Sequence, residues 1–250
     1  MDKNRGIILI NSNHGASNLI NGNLSDLQYD NINTVGVNML GLSSYVFVDH
    51  IPNVNEYNKV GVIDNGAQSF PVQIPEGNYN NVQLATAVSN ALSLLPIGAV
   101  SVTWDGLKFT INTGTAIKIL TNPINGGRRD IFDMMGMNKD GQLLTINETV
   151  KLANLNYSEC IYVLSRRLMR SRKDTDHNSN FATNNIGVIY RESQDPEKGN
   201  NRHEERIYNI KWIKSRELDA LDGFDIVLVD DEGYQIPSNK YEYRLEFYTC

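Results

Sequence analysis

The sequence predicts a mainly β protein, a sandwich or barrel carrying one small inserted α+β unit, and three observations lead there. Turn signals recur at Asn21-Gly22, Asn65-Gly66, Asp105-Gly106, Asn125-Gly126, Asp140-Gly141, Asp222-Gly223 and Glu232-Gly233; such pairs accept the positive φ of tight turns and punctuate strands. Short strand-like runs fill the spaces between them, as in all-β sandwiches and barrels. A single segment, 80–95, changes to helical spacing.

In chain order the strand-like runs are 6–10, 35–48, 59–63, 68–74, 100–104, 108–112, 117–120, 142–150, 160–165, 185–190, 205–213, 224–229 and 241–248. The last is the clearest: Tyr241, Tyr243, Leu245 and Phe247 alternate with Glu242, Arg244 and Glu246, one buried face and one wet. The run 224–229 is apolar on consecutive positions, as in a strand covered on both faces. A turn at Asp231-Glu232-Gly233 follows it, so the two runs are expected to pair as a terminal hairpin. Between residues 80 and 95, Leu84, Val88, Ala91, Leu92 and Leu95 form a helical stripe that Pro96 and Gly98 end. A short helical piece is expected around 130–135. Strand, helix, hairpin and strand thus make a compact unit at 70–141, inserted into a discontinuous sandwich of 1–69 and 142–250.

Composition narrows the function classes. The chain of 250 residues is 40% hydrophobic and 21% charged, with a net charge of −6, which is the balance of a folded protein and not of a general nucleic-acid coat. No apolar run approaches the roughly 20 residues of a membrane-spanning helix. The apolar stretch after the first basic residues is too short for a secretory signal. Two cysteines, Cys160 and Cys250, make no disulfide framework and suit a reducing compartment. Asparagine is in excess, 32 of 250, which reads as turns and loops. The sequons at Asn23, Asn147 and Asn156 are attributed to that excess.

No residue stands out as catalytic, cofactor-binding or metal-binding, so no cofactor and no enzyme activity is expected. His14, His50, His177 and His203 are scattered without ligand spacing and read as surface residues. No serine sits in a Gly-x-Ser-x-Gly elbow, and Cys160 reads as a buried structural thiol. Gly36 and Gly41 lack the Lys-Ser/Thr of a phosphate loop; they suit a bulge in a long bent strand. Asp230-Asp231-Glu232-Gly233 reads as a solvated turn, since the alternating ligands of a calcium loop are missing. The dense positive patch is Arg166, Arg167, Arg170, Arg172 and Lys173. It reads either as a solvated strand end or as an interface with an acidic partner. Polar stretches at 174–185 and 192–205 are expected to be exposed loops that make contacts.

The phrase Phe70-Pro71-Val72-Gln73-Ile74-Pro75-Glu76-Gly77-Asn78-Tyr79, followed by a helix and a hairpin, resembles a unit of the penton (minor capsid) proteins of virophages, polinton-like viruses and related double-stranded DNA viruses. The strand at 161–165 and the closing stretch 224–234 are similar to the ends of those proteins. The resemblance implies a single jelly roll with an inserted domain, a structural protein and not an enzyme. Five copies would close the fivefold vertices of an icosahedral shell. Its implied partners are itself as a homopentamer, a double-jelly-roll major capsid protein and other minor capsid proteins, without specific nucleic-acid or membrane binding. The implied location is the capsid vertex of the virion, after assembly in the host cytoplasm. The competing class is a viral receptor- or glycan-binding spike module, in which Tyr79, Trp104 or Tyr234 would stack on sugars.

Overall fold

A computed structural model describes residues 6–11, 26–30, 39–122, 128–165, 185–191, 201–207, 213–214, 223–237 and 241–249. The chain divides into two compact units, residues 1–50 with 158–250, and residues 51–157. The inserted unit is therefore wider than the expected 70–141. Both the strand that opens it and the segment that closes it belong to its own core and ladder.

The first unit holds β1 (Gly6–Asn11), β2 (Asp26–Asp30), β3 (Met39–Asp49), β9 (Cys160–Leu164), β10 (Asn185–Tyr190), β11 (Asn201–Arg206), β12 (Ile213–Lys214), β13 (Gly223–Val229) and β14 (Tyr241–Thr249). One sheet has the order β1-β14-β3-β11, with β12 also on β3, and the other has β10-β9-β13-β2. All of these pairings are antiparallel. Lettering the eight principal strands B to I in chain order gives B-I-D-G in one sheet and C-H-E-F in the other. That is the wiring of a jelly roll, with the inserted unit in the connection between its strands D and E, β3 and β9.

The sheets meet through apolar side chains. On β14, Tyr241, Tyr243, Leu245 and Phe247 are buried and Glu242 and Arg244 exposed, the expected alternation. They pack with Leu40, Leu42 and Phe47 of β3, and Ile161, Val163, Ile186, Ile189 and Leu228 supply the facing layer. Gly187 of β10 lies hard against the Leu42 side chain, and a Cβ there would overlap Leu42 Cδ2. The register between β3 and β14 slips at Glu246/Phe247, leaving Ser43 as the extra residue two positions from Gly41. Gly36 lies outside the described residues.

Two expectations fail here. β13 and β14 are not a hairpin: β13 pairs with β2 and β9, whereas β14 pairs with β1 and β3. Consecutive strands of a jelly roll mostly change sheets, so sequence neighbours are not ladder neighbours. The stretch 192–205 is likewise not all loop, because residues 201–206 form β11 against β3. Its polar sequence suits the edge of a sheet. The strand expected over 205–213 is thereby replaced by β11 and the two-residue β12.

The second unit contains β4 (Val60–Asp64), β5 (Ser69–Gln73), α1 (Asn81–Ser93), β6 (Val100–Trp104), β7 (Phe109–Leu120), α2 (Ile131–Met134) and β8 (Leu144–Glu148). Its sheet runs β5-β4-β7-β6, and β8 also pairs with β7. The runs 108–112 and 117–120 are one strand, β7, with an irregular register to β8 at Asn112/Ile117. Leu84, Ala85, Val88 and Leu92 of α1 are buried with Ile63, Val72, Phe109, Ile111, Ile117, Ile119 and Phe132. Asn80 caps α1 reciprocally with Gln83. The capping residue of α2 is Asp130.

Buried asparagines hold the entry to this unit. Asn53 donates to the Tyr79 carbonyl at 2.7 Å and accepts from the Tyr79 N–H at 2.9 Å. Asn58 donates to the Asn53 carbonyl at 2.7 Å and accepts from the Asn55 N–H at 2.7 Å. Each amide replaces a backbone partner that this irregular segment lacks.

Candidate functional site

The basic residues singled out from sequence, Arg166, Arg167, Arg170, Arg172 and Lys173, lie outside the described residues. So do His14 and His177. His50 is exposed as expected, but His203 on β11 is buried, covered by the aromatic layer of Phe47. Cys160 is half-buried instead of fully buried, at the first position of β9. Among the described residues, no three His, Cys, Asp or Glu side chains are grouped to hold a metal ion. Trp104 packs on Phe109 with ring centroids 4.6 Å apart, and the Tyr79 hydroxyl donates to the Pro75 carbonyl.

Charge and exposed apolar surface nevertheless concentrate at three places. The first is in the jelly roll, where Asp49 ends β3 with its carboxylate fully buried. Arg191, just after β10, donates from Nε to Asp49 Oδ2 at 2.6 Å, and its Nη2 reaches the same oxygen. Nη1 donates to the Ser158 carbonyl at 2.8 Å, and the Arg191 N–H donates to the Glu159 carbonyl. Ser158 in turn accepts from the Asp231 N–H. Asp230, expected in a solvated turn, is buried and accepts from the N–H groups of Glu232 and Tyr234. A buried guanidinium–carboxylate pair thus ties the end of the strand where the chain leaves the jelly roll to the residue where it returns.

Nearby, the Tyr45 hydroxyl donates to Glu205 at 2.9 Å and accepts from the Tyr190 N–H. Burial, reinforced by Glu205 and opposed by the Tyr190 bond, pushes its pKa up to about 12. It therefore remains a protonated donor at any ordinary pH.

The second place is the start of α2. Asp130, whose side chain is fully buried, accepts through Oδ1 from the Phe132 and Asp133 N–H groups. Its Oδ2 accepts from Lys139 Nζ at 2.8 Å, and Lys139 also donates to Asp133 Oδ2 at 2.5 Å. Burial pushes the Asp130 carboxyl up to about 6, although Lys139 draws it down. Burial also pulls on Lys139, but Asp130 and Asp133 outweigh it and leave the ammonium above its usual range. This is a desolvated structural cluster that orders α2.

The third place is β8 and its flanks. Leu143, Leu144, Ile146, Val150 and Leu152 are all exposed, from 44% at Leu143 to 82% at Leu152. A groove of about 330 Å³ lies beside them, lined by Ile119, Gln142, Leu144, Ile146 and Val150 among others. Gly136 places the segment that follows β8. Its φ is +71°, its carbonyl accepts from the Val150 and Lys151 N–H groups, and a Cβ would overlap the Lys151 carbonyl oxygen. The sequence reading missed this surface because apolar residues in a strand pattern read as core. The available signal was Leu143 next to Leu144, adjacent apolar residues that a strand directs to opposite faces. The arrangement offers contact surface and no reactive group.

No family model and no curated protein matches the sequence. Among solved structures, a selenomethionine-labelled mavirus penton protein is similar at 13% identity over 98% of each chain, with a TM-score of 0.47.

Proposed function

We propose that the chain is a structural capsid protein, a penton that forms homopentamers at the fivefold vertices of an icosahedral shell. The observation that carries this reading is the jelly-roll strand order with a separate α+β unit between β3 and β9. Jelly rolls of this wiring recur as viral coat domains. The phrase at 70–79, from which the sequence resemblance starts, covers β5 and the approach to α1. Head-to-tail contacts between jelly rolls would close the ring. The major capsid protein would be the neighbour outside it, with the run at 166–173 as a contact.

Mass photometry of the purified full-length chain, with and without a double-jelly-roll capsid protein, tests the reading. The expected result is a pentamer that binds the capsid protein and loses that binding when Arg170 and Arg172 are changed to Glu. A monomer or trimer that binds glycans on an array would overturn it in favour of a receptor-binding module.

A further inference from the structure

In the inserted unit, β5, β6 and β8 each have a ladder partner on one side only among the described residues. An edge of this kind is normally protected by proline, charge or a covering element. β5 has Pro71 at its centre, flanked by exposed Ser69 and Gln73. β6 has α1 packed against it. β8 carries neither Pro nor Lys, and Leu144 and Ile146 are 46% and 55% exposed. From residue 141 to 147 there is no ionisable side chain, and Glu148 is paired with Lys108 at 2.8 Å.

We propose that β8 is an interface for β8 of a second copy of this chain, added antiparallel about Thr145. Charge favours this occupant. Two copies of net charge −6 repel through their charged surfaces, and this neutral strip lets them approach, while a charged partner would find no counter-charge on it.

Main-chain geometry favours the register. The Thr149 N–H donates to the Phe109 carbonyl, and the Thr145 carbonyl accepts from Thr113 Oγ1. Odd-numbered residues therefore face β7, and by strand alternation residues 144, 146 and 148 direct their N–H and C=O groups outward; the Leu144 carbonyl already accepts from Asn147 Nδ2 at 3.1 Å and offers an added strand its second lone pair. Pairing about Thr145 sets Leu144 opposite the second copy's Ile146, and Ile146 opposite its Leu144, as hydrogen-bonded pairs. Thr145 then meets its own counterpart at the close, non-hydrogen-bonded spacing of about 4.5 Å between Cα atoms. Directly opposed side chains share a sheet face, so the four apolar groups form one cluster. This is β-strand addition between identical partners. The contact is isologous and makes no use of the jelly-roll contacts proposed above.

The test uses the full chain with Cys160→Ser and Cys250→Ser. Under mild oxidation, Thr145→Cys should give a disulfide-linked dimer, and Ser101→Cys on β6 should not. In sedimentation velocity, Ile146→Lys should weaken self-association at least about tenfold, since each dimer loses two buried side chains. An unlinked Thr145→Cys chain, or self-association unchanged by Ile146→Lys, overturns the proposal. A pentamer that persists in Ile146→Lys with no Thr145→Cys linkage overturns β8 pairing while leaving the vertex reading intact.

Discussion

The two units solve the same problem, closing a sheet, with different means. The jelly roll pairs its central strands β3 and β14 on both sides and fixes the end of β3 with the buried pair of Asp49 and Arg191. The inserted unit packs α1 and the short α2 with a single sheet, secured by asparagine bonds and the cluster of Asp130, Asp133 and Lys139. Among the described residues one edge, β8, exposes Leu144 and Ile146 and has a ladder partner on one side only. The contrast separates two uses of polar groups. The buried Asp49–Arg191 pair of the jelly roll has no exposed alternative and must stay paired, whereas the inserted unit joins to its own charged cluster a set of neutral amide bonds, the outermost of which water can replace.

The largest expected effect follows from breaking the jelly-roll pair. Arg191→Met leaves the Asp49 carboxylate buried without its cation and should cost about 3–5 kcal/mol. Adding Asp49→Asn should recover part of that. Hydrogen exchange would show the loss in residues 40–49 and 241–249, with α1 unaffected. If Arg191→Met stays within about 1 kcal/mol of the parent in urea unfolding, the pair is not what fixes these strands.

A smaller effect distinguishes the inserted unit by pH. Asp130 has a folded pKa of about 6, above the roughly 3.9 of an unfolded aspartate. The folded state therefore binds the proton more readily between those values. Stability should rise as pH falls from about 6 to about 4 and level off below, opposite to the usual paired carboxylate. Asp130→Asn keeps the Oδ1 acceptor of the cap and should abolish this slope. In a Trp212→Phe background, Trp104 fluorescence reports the unfolding of this unit alone. A stability that falls over the same pH window would mean that the ion pair with Lys139 outweighs burial.

How much of this was legible in the sequence depended on whether a feature was local. The helix stripe from Leu84 to Leu92, its stop at Pro96, and the alternation of β14 are written in neighbouring residues, and each appears where the pattern places it. The partner of β14 was not legible. Proximity favours β13, but the jelly-roll wiring sends β13 to the other sheet. Arg191 and Asp49 stand 142 positions apart, so no spacing rule could join them. The asparagine excess was half legible. Turns such as the one at Asn65, whose Oδ1 accepts from the N–H groups of Ala67 and Gln68, fit the reading. Asn53, Asn55 and Asn58 are buried instead, as substitutes for missing ladder partners. Nor could strand pattern alone mark the exposed face of β8, since Leu144 and Ile146 match a core strand until the absence of a covering layer is seen.

The smallest effect tests whether the inserted unit really depends on replaceable neutral bonds. Asn80 accepts from the Gln83 N–H at 2.9 Å while Gln83 accepts from the Asn80 N–H at 3.0 Å, both near the surface. Water can reach the freed N–H groups in Asn80→Ala, so the loss should be about 1 kcal/mol. That is well below the cost expected at Arg191, where no water substitutes for the guanidinium. The Trp104 signal should show this small shift. A loss as large as that of Arg191→Met would place the anchor of α1 in its cap and not in the packing of Leu84, Val88 and Leu92. The contrast between charged and neutral fastening would then fail.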